Sequence, residues 1–160
     1  MPILTTDLAY LGSTSNLGGA ITANIIPDAT LHNLFDVVGS AGSENGETNY
    51  RCIYLKNNHG SITLQDAAAY LSVNTPSVTT EMEIGFGTAT IGGVEQSIPD
   101  ETTAPIGVVF TALIGDANSV ALGSIPPGSH KAIWLKRVID AGTVATPSEG
   151  ATIIVTGDSV

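Results

Sequence analysis

Three observations predict an all-β chain, folded as an antiparallel two-sheet β-sandwich of jelly-roll or immunoglobulin-like type with an extended N-terminal arm. Runs rich in β-branched, aromatic and aliphatic residues recur roughly every 8 to 20 residues. Clusters of Gly, Pro, Asn and Ser separate them. No amphipathic helical pattern lies between the runs, which argues against a helix-flanked parallel sheet. At 160 residues the chain has the size of a single domain, with residues 1–30 as arm or edge strands and 31–160 as the sandwich.

The elements follow in order. Residues 1–30 alternate strand fragments with Ser, Asn and Gly, so an extended segment is expected, lying on a neighbouring subunit or on its own sheet. Leu31, Leu34, Phe35 and Val38 have helical spacing, yet the β-rich context favours an extended lead into the next strand. Residues 39–46, GSAGSENG, read as a surface loop. Residues 50–56 form the strongest strand signal, and Asn57, Asn58, His59 and Gly60 suit a reversal. Residues 61–73 are therefore expected to return antiparallel as the second arm of a hairpin, overriding the helical propensity of QDAAAYL. Residues 79–86 alternate, with Glu81 and Glu83 on one side and Met82, Ile84 and Phe86 on the other. Residues 87–107 are glycine-rich and acidic, a long loop of the kind that makes contacts. Residues 107–114, 120–125, 130–139 and 151–156 are the remaining predicted strands. Core candidates are Cys52, Tyr54, Ile133, Leu135, Ile153 and Val155.

Fifteen acidic against five basic residues give a net charge of −10, while only 12% of the chain is charged. An acidic body is repelled by phosphate backbones, so no direct nucleic-acid contact is expected. No apolar run approaches the roughly 20 residues of a membrane span, and the first residues lack the basic-then-apolar pattern of a leader. No membrane association is expected, and a lone cysteine fits synthesis in the cytoplasm. Few charges leave a surface that is cheap to desolvate against other subunits. All five basic residues fall in two strands: Arg51 and Lys56 in one, Lys131, Lys136 and Arg137 in another. As neighbours these strands would form one positive patch. The alternative is pairing with local carboxylates. These five residues, with Leu4, Leu8 and Leu11 of the arm, are the candidate partner contacts.

The chemistry-bearing residues are sparse. His32, His59 and His130 are not spaced as zinc ligands, and the single thiol cannot complete a soft site. Cys52 sits mid-strand, where a packing role is expected. Gly85-Phe86-Gly87 starts like a dinucleotide fingerprint, but Thr90 stands at the third glycine position. The pairs Glu81/Glu83 and Asp100/Glu101 lack the alternating oxygen ligands of a calcium loop. No catalytic residue, metal or cofactor is expected. Aromatics make up 5% of the chain, so a carbohydrate platform would rest on Trp134 with Tyr54 or Tyr70.

The segments Leu17-Gly18-Gly19-Ala20 and Asn33-Leu34-Phe35-Asp36, residues 47–57 (ETNYRCIYLKN), and Ile125-Pro126-Pro127-Gly128 leading to Trp134 together resemble small virion structural proteins of tailed bacteriophages. The resemblance implies a non-enzymatic virion component, foremost a capsid decoration (cement) protein. It would act as a homo-oligomer such as a trimer, with the major capsid protein or other virion proteins as partners. A tail or baseplate protein and a virion-surface carbohydrate-binding module are the alternatives.

Overall fold

The computed structural model describes residues 2–146 and 149–159. In chain order its strands are β1 (Leu8–Ser13), β2 (Gly18–Gly19), β3 (Ile21–Ile25), β4 (Glu47–Asn57), β5 (Leu64–Val73), β6 (Thr80–Phe86), β7 (Glu95–Ser97), β8 (Val120–Ile125), β9 (His130–Ile139) and β10 (Thr152–Ser159). One short helix, α1 (Ser40–Asn45), precedes β4. The strands make a five-stranded sheet in the order β3-β1-β4-β9-β6, a three-stranded sheet β10-β5-β8 and a ribbon β2-β7. Every strand pair is antiparallel, so the all-β class expected from the sequence is the class found.

The centre is the β4–β9 pair, matched in register from Glu47↔Ile139 to Lys56↔His130. Residues 51–55 are all buried, which means that β4 is covered on both faces. One face contributes Ile53, Leu55, Ile133 and Leu135, with Met82 and Ile84 of β6, to the main core. Leu64, Ala67, Ala69, Leu71, Leu122 and Ile125 of the three-stranded sheet complete it. The opposite face presents Cys52, Tyr54, Ala132 and Trp134, which pack with Ile98 in a smaller cluster. Of the core candidates, Cys52, Tyr54, Ile133 and Leu135 are buried, on two different faces, while Ile153 and Val155 are half-buried at the main core.

Three expectations need correction. The β4–β5 hairpin does not exist as a pair. The chain does reverse after Asn57, but β5 lies in the other sheet, because both edges of β4 are taken by β1 and β9. The reversal is a wide crossing organised by side chains. Asn57, fully buried, donates to the Ile62 and Ile125 carbonyls at 2.9 and 3.0 Å, and His59 Nδ1 accepts the Ser61 and Ile62 N–H groups. Of the two placements open to the N-terminal segment, residues 8–25 take the chain's own sheet: β1 pairs with β4, and β3 with β1 at the sheet edge.

Residues 31–38 form turns without helix, with His32 at φ 55°. The helix falls instead in the expected loop, at α1, and Gly46 (φ 76°) follows it. Residues 107–114 are not a strand; they make only single bridges, Ile84↔Thr111 and Leu71↔Ile114. Their apolar composition serves to cover the sheet rather than to extend it. By contrast QDAAAYL is strand, within β5.

Candidate functional site

The two basic strands are direct neighbours, yet their side chains do not gather into one patch. Arg51 and Arg137 lie at one end of the β4–β9 pair, Lys56 and Lys131 at the other, and Lys136 projects from the opposite face to Arg137. The guanidinium of Arg51 meets Glu101 and, at 3.3 Å, Asp36. Arg137 reaches Asn49 Oδ1 at 2.7 Å and Glu47 at 3.5 Å, and burial pulls its pKa down while Glu47 opposes that pull. Phe35 lies between the two guanidinium groups, 5.5 and 4.8 Å from its ring centre.

Lys136 pairs with Glu83, its cross-strand partner on β6, at 2.6 Å. Lys131, nearly buried, donates to the Ala89 carbonyl; burial lowers its pKa and the nearby Glu95 carboxylate works against that. Lys56 is half-buried and forms no ion pair among the described residues. Arg51, Lys136 and Arg137 thus pair with local carboxylates, the alternative to a single positive patch, while Lys131 meets a backbone carbonyl. Of the arm leucines, Leu11 is buried, Leu8 packs on the main core, and Leu4 is exposed.

What the structure does assemble is a layer of irregular chain, residues 87–114, laid over the second face of the five-stranded sheet. Tyr54 is its anchor. Its hydroxyl donates to the Gly19 carbonyl at 2.5 Å and accepts the Glu95 N–H at 3.0 Å, so one side chain ties β2 and β7 to β4. The Glu95 side chain turns inward, where it accepts the Thr88 hydroxyl at 3.0 Å and the Ala89 N–H at 2.9 Å. Burial alone would raise its pKa, but these bonds favour the ionised form and the net shift is downward.

Gln96 clamps Ile106 through both amide ends, at 2.7 and 2.8 Å. Asp100 Oδ1 collects Thr102 and Thr103, which lowers its pKa. At the far end Thr111 and Ile84 exchange backbone bonds of 2.9 and 3.0 Å, and Asn74 bridges Met82 to Ala112.

The Gly85-Phe86-Gly87 sequence has its explanation here. A Cβ on Gly85 would stand 2.7 Å from the Val109 carbonyl oxygen, and one on Gly87 would overlap the Glu95 carboxylate. Both glycines make room for the layer. Its outer surface exposes Val94, Ile106, Val109 and Leu113, from 63% to 83% accessible. Its three charged residues are all acidic, and one of them, Glu95, is buried.

Glu95 escaped the sequence reading. Its signal was a lone carboxylate in the Gly-rich stretch GTATIGGVEQSI, twelve residues after Glu83 and five before Asp100. Trp134 and Tyr54 are fully buried, so neither presents a ring to a sugar. Cys52 is a buried free thiol whose pKa burial pushes up to about 12. Two open clefts lie on the surface, one of about 360 Å³ beside residues 74–81 and one of about 230 Å³ between Ile3 and Ser159. Among the described residues no three His, Cys, Asp or Glu side chains cluster as metal ligands, and no helix is long and apolar enough to cross a membrane. No family model matches the chain, and neither a curated protein nor a solved structure matches it significantly.

Proposed function

We propose that this chain is a non-enzymatic structural component of a tailed-phage virion, a capsid decoration protein that stabilises the head through contacts repeated over many copies. Its two larger sheets are read as a β-sandwich, because side chains of both enter one core cluster. The observation that carries the functional reading is the 87–114 layer. It holds Val94, Ile106, Val109 and Leu113 outward on a framework locked by Tyr54, Glu95 and Gln96. A preordered apolar surface with few charges loses little entropy and little hydration on docking. Symmetry then multiplies a modest contact through effective concentration.

Particles assembled with and without the chain test this. Stoichiometric incorporation and greater survival of heat and osmotic shock are expected, with both effects reduced by Val109→Asp and Ile106→Asp. Equal survival of particles lacking the chain would remove the cementing role. Particle imaging that places it in the tail or baseplate would move it to that structural class.

A further inference from the structure

Among the described residues the two larger sheets leave four edges, and they are not equivalent. The edge of β6 is closed by the mutual backbone bonds of Ile84 and Thr111. β8 is bulged against β5, with Gly123 at φ 83°. β3 is short, shifts register against β1 and runs into Pro27. Each of these is a device that discourages strand addition. β10 has none of them over its middle. Ile153, Ile154, Val155 and Thr156 run in unbroken register with Leu71, Tyr70, Ala69 and Ala68. No strand pairs with its other edge among the described residues.

Residues 152–156 read Thr-Ile-Ile-Val-Thr, five β-branched residues without charge, Pro or Gly. Such an edge pairs readily with another strand. The order is also close to a palindrome about Ile154. We propose that β10 pairs antiparallel with β10 of a second copy about a two-fold axis through Ile154, joining two three-stranded sheets into one of six strands.

The occupant follows from complementarity and charge. An isologous contact demands a self-complementary patch, and this register sets Ile154 against Ile154, Ile153 against Val155 and Thr152 against Thr156, all favourable cross-strand pairs. It keeps the half-buried Ile153 and Val155 on the core side and the more exposed Ile154 on the other in both copies. A chain of net charge −10 repels its own copies wherever carboxylates meet. Here the nearest carboxylate, Asp158, falls opposite Gly150, and no two acids oppose each other. The proposal names one contact behind the self-association read above and rests on that part of the reading alone. It is tested on the purified chain, whereas the virion role is tested on particles, so each can fail separately.

Five paired residues per strand make an interface below the roughly 1,200 Å² of standard complexes, so association is expected in the micromolar range. Sedimentation equilibrium between about 10 and 500 μM should show the mass rising from 16.3 kDa toward twice that value. Ile154→Lys should keep the mass at the monomer value throughout. Independently of that variant's folding, Ile154→Cys should oxidise to a covalent dimer at least tenfold faster than Val78→Cys, a 97% exposed control, since opposed residues of an antiparallel pair lie within disulfide range. A constant monomer mass in the unmodified chain would overturn the proposal. So would association undiminished by Ile154→Lys, or equal oxidation rates of the two cysteine variants.

Discussion

The two faces of the five-stranded sheet are covered by different means. Toward the three-stranded sheet, Ile53, Leu55, Ile84, Ile133 and Leu135 meet Leu64, Leu71, Leu122 and Ile125, and the seam is apolar. Toward the 87–114 layer, Cys52, Tyr54, Ala132 and Trp134 meet chain with little regular structure, and the seam contains Tyr54, Glu95 and the two glycines of β6 and its exit. The difference has a physical origin. A sheet satisfies its own N–H and C=O groups along its ladders, so its cover need only be greasy. An irregular layer has no ladder, and each buried amide needs a partner found elsewhere. Tyr54, Glu95, Gln96, Asp100 and Asn74 supply those partners one at a time.

The largest expected effect tests whether both seams belong to one cooperative unit. Trp134→Ala, made on the layer side, should cost about 3–5 kcal/mol, comparable with about 2–5 for Leu55→Ala on the sheet side. Urea titrations followed by circular dichroism should show single transitions in both. Because the Trp134 indole N–H is buried without a hydrogen-bond partner among the described residues, Trp134→Phe removes an unsatisfied donor along with volume and should cost well under the alanine variant.

Next, Glu95→Ala should cost about 1–3 kcal/mol by stranding the Ala89 N–H. Hydrogen exchange should quicken across residues 87–98 more than in β4 or β9; uniform quickening would dissolve the distinction between the faces. The same carboxylate sets a pH signature. Its folded pKa lies below its ordinary value, so its stabilisation is complete above the unfolded value near pH 4.3 and is lost as pH falls through the lower folded value. Glu95→Gln should flatten that part of the acid limb in thermal melts.

Smaller again is Lys136→Ala, which removes a partly exposed cross-strand pair with Glu83 and should cost about 0.2–1 kcal/mol. Smallest is the labelling of Cys52, which reports without perturbing. With its pKa near 12 and its side chain buried, it should resist thiol reagents at pH 8 and react only as fast as the sheet opens.

Much of the local structure was legible along the chain. Residues 50–56, 79–86, 120–125 and 130–139 carry β-branched and aromatic patterns, and each falls in a strand, the second from Thr80 onward. The reversal at Asn57 was equally visible, because Asn and Gly announce turns whatever the turn connects. Its destination was not, since the same residues serve a hairpin and a crossing between sheets. The cations illustrate a second limit. Their clustering in two strands was plain, but pairing with Asp36, Glu47, Glu83 and Glu101 depends on chain far away in sequence. Residues 107–114 mark a third: their apolar pattern reports burial of one side, and an irregular cover buries a side as well as a strand does.

The amino-acid order by itself determined most of the extended segments, the principal turns and the apolar side chains of the central strands, because dihedral preference and hydrophobicity act within a few residues. Tertiary structure alone decided that β4 joins β1 and β9 rather than β5, and that a carboxylate at position 95 turns inward. Every strand offers identical hydrogen-bonding edges on its two sides, and the choice between neighbours falls to whichever packing covers both faces of β4 at once.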